Sequence, residues 1–123
     1  SLVGSEMCIR DSAMYIYKDL VTDEACEKSK NKILRKLRMH AGMVDVYLIC
    51  LANGSDNFDI YDSACLKQKA FPRDTIYLVG LAKGKESALQ LSIDLYLSLS
   101  QKWDTLLIKQ VFEKQKAELF RRY

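Results

Sequence analysis

The sequence predicts a small α/β domain in which a two- or three-stranded sheet is covered by helices, in the order α-β-α-β-α-α. Two nearly continuous apolar segments, residues 44–52 and 75–82, are rich in β-branched residues and have the pattern of buried strands. The segments before, between and after them show helical periodicity. A length of 123 residues is typical of one domain.

We interpret residues 1–13 as a leader that is not native to the domain. Residues 1–12, SLVGSEMCIRDS, have no usable periodicity and resemble translated read-through of a sequencing adapter. The natural chain would then begin at Met14, with a single α/β domain over residues 14–123. Cys8 takes no part in the functional argument.

The first helix is predicted to begin at Asp23, with Thr22 as its N-cap, and to end near Gly42. Acidic residues occupy its first turn and basic residues follow, an order that complements the helix dipole. Four basic residues lie opposite the apolar stripe and are predicted to face solvent: Lys28, Lys32, Arg35 and Arg38.

Residues 58–71 fit either a helix or a strand, and we favour a helix. A helix there would join the two buried strands in a right-handed βαβ crossover. The alternative is a further strand, supplied by residues 58–66 or by another chain, because a sheet of two strands leaves exposed edges.

Residues 88–100 carry conflicting patterns. Leucine or isoleucine at alternate positions is typical of a strand, yet polar residues gather on one narrow face of a helical wheel. We predict a largely buried helix, because the segment follows a strand and a Gly-Lys turn. A last helix is predicted after the N-cap Asp104, with Trp103 packing on Ile108, and the tail 120–123 is expected to fray.

The turn from Gly80 to Lys85, in the sequence GLAKGKES, is the first candidate ligand site. Glycines free backbone N–H groups to face a phosphate, and a lysine can reach its outer oxygens. Lys83, Gly84 and Lys85 are the candidate anion-binding residues. The full phosphate-loop pattern is one residue longer, however, and Glu86 occupies the position of the metal-binding hydroxyl, so we favour an ordinary strand-to-helix turn.

The basic residues of the first helix, Lys28, Lys32, Arg35 and Arg38, are the second candidate site. Nucleic-acid-binding proteins display such residues along one face to neutralise phosphates. The net charge is only +3 and no aromatic residue is interleaved for base stacking. A solvated helix face is therefore the favoured interpretation, and nucleic-acid binding is the alternative.

The four cysteines and the single histidine, His40, give no pattern for a metal, a cofactor or a catalytic dyad. No two cysteines form a CxxC pair, and no partner that would orient His40 can be identified. Free thiols are typical of a reducing compartment. The longest apolar run is far short of the roughly 20 residues that cross a bilayer, so we expect a cytoplasmic protein without a membrane partner.

Several strings of the chain, from Lys18-Asp19-Leu20 through NKILRKLR at 31–38 to VGLAKG at 79–84, resemble a set of small uncharacterised bacterial proteins. The resemblance spans Met14 to about Ile108. It implies a helix after the Lys-Gly turn, and it implies no function and no catalytic or ligand residues.

These observations favour a non-enzymatic accessory or interaction domain, with a homodimer as a reasonable assembly. The first alternative is a binder of a phosphate ligand or a nucleotide at the turn from Gly80 to Lys85. The second is nucleic-acid binding through the basic first helix. We expect no catalytic residues, no metal and no cofactor.

Overall fold

The described part of the chain forms a five-stranded mixed sheet with helices on both faces. A computed structural model describes residues 14–39, 43–52, 57–64 and 76–123. The strands within them are β1 (Met14–Thr22), β2 (Val46–Leu51), β3 (Phe58–Asp62), β4 (Ile76–Lys83) and β5 (Phe120–Arg122). Their order across the sheet is β3-β2-β4-β1-β5. β1 and β4 are parallel, and the other neighbouring pairs are antiparallel.

Helices on each face of the sheet build a separate apolar core. The helices are α1 (Glu24–Glu27), α2 (Lys30–Arg38), α3 (Lys85–Lys102), α4 (Ile108–Lys114) and α5 (Lys116–Leu119). α1 and α2 pack on one face, and α3 and α4 pack on the other. No helix in the described part of the chain is long and apolar enough to cross a membrane.

The core beneath α3 and α4 centres on an aromatic side chain. Phe112 is fully buried, and its ring makes edge contacts with Tyr17, with a centroid distance of 5.4 Å, and with Trp103, at 5.1 Å. Phe58 and Phe120 complete this cluster. Trp103 therefore packs on Phe112 in the same apolar cluster as Ile108, and its predicted direct contact with Ile108 stays a prediction.

The predicted sheet of two or three strands in the order α-β-α-β-α-α is wrong, because strands also form at both ends of the described chain. β1 precedes the first helix. Exposed Lys18 and Asp19 interrupt its apolar pattern. They lie at a register shift between β1 and β4, where β1 advances five residues, from Ile16 to Val21, while β4 advances two. β5 has three residues, of which only Phe120 is buried, so its pattern is too short to indicate a strand.

The preference for a helix over residues 58–71 is also wrong at its start. Residues 58–62 form β3, an edge strand whose residues are all half-buried and which pairs with β2. Residues 65–71 lie outside the described part. Because β2 and β4 are antiparallel neighbours, the predicted right-handed crossover between them does not form.

The strands predicted over 44–52 and 75–82 and the helix predicted over 88–100 are confirmed as β2, β4 and α3. The first helix is divided, since α1 ends at Glu27 and α2 begins at Lys30. Asp23 caps α1 in place of Thr22, which belongs to β1. Asp104 caps no helix, because α4 begins four residues later. Gly42 and the predicted leader, residues 1–13, lie outside the described residues.

Candidate functional site

The predicted phosphate turn connects β4 to α3, and protein acceptors already occupy two of its amides. The Lys83 N–H donates to the Asp23 carboxylate at 2.9 Å, and the Gly84 N–H donates to the Asp45 carbonyl at 2.7 Å. A carboxylate thus lies where the pattern would place a phosphate. The Lys85 side chain is exposed beyond this turn. Phosphate binding here stays a prediction that this hydrogen bonding does not favour.

Gly80, the first glycine of that turn, has a packing role within the sheet. It lies on β4 next to register irregularities with both neighbouring strands. A Cβ atom built there would lie 2.9 Å from Val21 Cγ2 and 3.1 Å from Ile49 Cδ1. Close approach of β1 and β2 therefore accounts for the glycine without a ligand.

The four basic residues singled out in the first helix lie in different surroundings. Lys28 is the C-cap of α1, and Lys32 and Arg35 are exposed on α2. Arg38 ends α2 with its guanidinium carbon 5.4 Å from the centroid of the Tyr123 ring. The aromatic partner of Arg38 is thus Tyr123, at the end of the described chain. Local sequence patterns could not predict this contact, because the two residues are far apart in the sequence.

The thiols in the described part of the chain are poor nucleophiles. Burial, and then the Asp23 carboxylate, raise the pKa of Cys26 to about 12. Burial, and then Asp59, raise the pKa of Cys50 well above its ordinary range. Thiols with such pKa values stay protonated at neutral pH and do not attack substrates. Cys8, Cys65 and His40 lie outside the described residues.

The outer face of α3 presents an exposed apolar stripe. Leu89, Ile93 and Leu97, spaced four residues apart, are 45%, 51% and 53% exposed. The opposite side of the helix buries Ala88 and Leu99, together with Leu95, in the core. The alternating leucines that resembled a strand therefore supply both sides of one helix. The sequence predicted a largely buried helix, and the structure leaves one side of it uncovered.

The loop after α3 extends this apolar surface. Leu106 and Leu107 are 71% and 58% exposed. The Tyr96 hydroxyl donates a hydrogen bond to the Leu106 carbonyl at 3.0 Å, which holds the loop against α3. We call the five exposed side chains the apolar patch: Leu89, Ile93, Leu97, Leu106 and Leu107. Monomeric proteins rarely expose large contiguous patches of this kind, and such patches mark interaction sites.

A groove of about 210 Å³ lies on the opposite face of the sheet, between α2 and the β1–β5 edge. Ile16, Leu20 and Leu34 supply apolar lining, and Lys18, Lys30 and Arg121 are among its basic residues. We call it the basic groove. Residues 121–123 of the tail, which were expected to fray, complete the groove. The sequence therefore contains no signal for it.

Comparisons with known protein families, curated proteins and solved structures found no match to this chain. The apolar patch and the basic groove are therefore interpreted from their own geometry and chemistry. Of the two, the apolar patch has the larger exposed apolar surface and leads to the functional proposal.

Proposed function

We propose that this protein is a non-enzymatic interaction domain whose apolar patch docks on a second copy of the same chain. The observation that carries the proposal is the stripe of half-exposed Leu89, Ile93 and Leu97 on a helix whose other side is already buried. A helix that is apolar on both sides is normally covered on both sides. The high pKa values of Cys26 and Cys50 support a role other than covalent catalysis.

The spacing of the stripe suits a symmetric contact. Leu89 and Leu97 lie four residues on either side of Ile93. If two copies of α3 pack antiparallel about a two-fold axis at Ile93, Leu89 of each copy faces Leu97 of the other. This is an isologous interface, the arrangement of most homodimers. It also sets the two helix dipoles in opposite directions, which is favourable.

The charges along α3 are compatible with such packing. Between Glu86 and Lys102 the only charged residue is Asp94. Its carboxylate accepts a hydrogen bond from the Gln90 amide at 2.9 Å, within the same helix. Asp94 is exposed and lies about 100° around the helix from Ile93, so two copies can approach along the stripe while this charge stays in water, where it does not oppose association.

The expected dimer is weak. Burying the exposed half of three aliphatic side chains on each of two copies contributes roughly 6 kcal/mol before the cost of association is subtracted. The exposed leucines of the adjoining loop raise this figure to about 10 kcal/mol, and an association cost of about 4–6 kcal/mol leaves a net of about 4–6 kcal/mol. We therefore expect a dimer that dissociates on dilution and is populated at high concentration, between about 10 µM and about 1 mM.

Sedimentation velocity across that concentration range tests the proposal. The wild-type chain should shift from monomer to dimer, and a variant carrying Leu89→Gln, Ile93→Gln and Leu97→Gln should stay monomeric. The matched control, Ser87→Gln with Ser98→Gln, changes exposed α3 residues away from the stripe and should dimerise like the wild type. A wild type that is monomeric throughout, or a triple variant that still dimerises, would contradict the proposal.

A further inference from the structure

We infer that the basic groove binds single-stranded nucleic acid, holding the phosphates on its rim and stacking a base at its Tyr123 end. This site is separate from the apolar patch, because the groove lies on the α2 side of the sheet and the patch lies on α3. The inference does not depend on the proposed dimer. It combines basic residues from three elements with an aromatic ring and an apolar lining.

The pairing of β5 with β1 places the tail residues at the groove. Arg121 is the direct partner of Ile16, a residue packed against the core beneath α2. Directly paired residues of antiparallel strands project from the same face of the sheet. The Tyr123 N–H donates to the Met14 carbonyl at 2.9 Å, which continues this pairing and brings Tyr123 to the same face. Arg121 and Tyr123 thus lie on the α2 side.

The helix supplies the opposite wall with residues four positions apart. Lys30 and Leu34 line the groove, and Arg38 follows one turn later above the Tyr123 ring. Residues at this spacing share one face of a helix. The outward-facing Lys32 and Arg35 are absent from the lining, so the groove selects a subset of the basic residues on α2.

The charge of the groove suits a phosphate backbone. Four of its nine lining residues are basic, and none of them is acidic. A groove lined by one sign of charge concentrates ligands of the opposite sign. Lys18 and Arg121 are exposed on the β1–β5 side, where phosphates can reach them without displacing core residues.

The non-polar parts of the groove distinguish a single strand from other polyanions. Tyr123 is 39% exposed, and with the Arg38 guanidinium it forms a platform on which a base can stack. Ile16, Leu20 and Leu34 offer apolar surface to an unstacked base. A duplex keeps its bases paired and stacked and cannot use these surfaces, and an acidic peptide has no flat ring for the platform.

Fluorescence anisotropy with a labelled oligothymidine tests the inference on the full chain. The wild type should bind the single strand more tightly than a duplex of equal length or polyglutamate. Tyr123→Leu should weaken single-strand binding by about 5- to 150-fold and leave binding of inorganic polyphosphate unchanged. Lys18→Gln with Lys30→Gln and Arg121→Gln should lower the slope of log affinity against log salt by about 2.

The matched control changes Lys32→Gln and Arg35→Gln on the outward side of α2, which should lower affinity far less than the groove variant. Circular dichroism and the melting temperature establish that each variant is folded. The inference is overturned if the single strand does not bind at low salt, or if the duplex or polyglutamate binds as tightly. It is equally overturned if the outward variant loses as much affinity as the groove variant.

Discussion

Replacing Gly80 with alanine should destabilise the fold by crowding three strands at once. The added Cβ would lie 2.9 Å from Val21 Cγ2, 3.1 Å from Ile49 Cδ1 and 3.3 Å from the Val21 carbonyl oxygen. The first contact is shorter than real Cβ contacts allow. The third involves backbone, which cannot move away by a change of rotamer, so β1 and β4 must separate slightly.

The expected cost follows from this geometry. Adding a methyl group to a packed core costs about 1–3 kcal/mol, which is a substantial part of the roughly 5–15 kcal/mol that stabilises a domain. Shortening the closest neighbour should recover part of it, so Val21→Ala combined with Gly80→Ala should cost less than the sum of the two changes. Gly84→Ala is the matched comparison.

Gly80 is required for close packing, whereas Gly84 is required for its backbone conformation. A Cβ there meets only Asp45 Oδ2, at 4.0 Å, but the backbone φ of +90° is a conformation that alanine resists. The cost should be about 1–2 kcal/mol, and Val21→Ala should not reduce it. Rescue by Val21→Ala therefore separates crowding at Gly80 from backbone strain at Gly84.

Urea unfolding followed by tryptophan fluorescence measures these free energies, since Trp103 packs against the core residue Phe112. The denaturant slope should stay constant while the midpoint falls. If Gly80→Ala leaves the midpoint unchanged, or if Val21→Ala gives no rescue, the explanation from strand packing is wrong. A requirement for Gly80 that appears only in ligand binding would instead favour the phosphate turn.

Four further predictions concern the cap of α1, the reactivity of the thiols, the pH dependence of stability and the core. Asp23→Ala should lower the free energy of unfolding by about 1–2 kcal/mol, because it removes the cap of α1 and the hydrogen bond from the Lys83 N–H. In the same urea assay Asp23→Asn should keep most of the wild-type stability. In a background of Cys8→Ser and Cys65→Ser, the native protein should not react with a thiol reagent at pH 8 and should react at both remaining cysteines in urea. Because the folded pKa of Cys26 is raised from 9.0 to about 12, the unfolded thiol ionises first. Stability should therefore fall as pH rises above about 9, by up to about 1.4 kcal/mol per pH unit from this thiol, and a flat profile in urea unfolding between pH 8.5 and about 10 would contradict this. Phe112→Ala should cost about 3–5 kcal/mol, while Leu106→Ala, at a 71% exposed residue, should cost little.

The strands β2 and β4 and the helix α3 could be predicted because the apolar and polar pattern of each segment indicates its secondary structure and its burial. The segment that forms β2 is almost continuously apolar, and five of its six residues are buried. For α3, the narrow polar face and the preceding turn outweighed the alternation of leucines. In each case a single segment contains enough information to distinguish a strand from a helix.

The strands at the edges could not be predicted because distant residues define them. β1 acquires its neighbours from residues 76–83 and 120–122, and exposed Lys18 and Asp19 obscure its apolar pattern. β3 is half-buried along its whole length, so a helical pattern and the alternating pattern of a strand fit its sequence equally well. The basic groove depends on the same pairing, since Arg121 and Tyr123 reach Lys30 and Arg38 only after β5 has joined β1.

The position of β1 in the sheet has a consequence for synthesis of the protein on the ribosome. Along the chain, β1 emerges before its partners β4 and β5, which are separated from it by many residues: Tyr15 pairs with Arg122. At about 5–20 residues per second, β4 follows β1 after roughly 3–12 s and β5 follows it after roughly 5–20 s. Until β4 is made, the apolar residues of β1 lack both of the strands with which they pair, and a nascent chain stalled before β4 would be a ready substrate for chaperones.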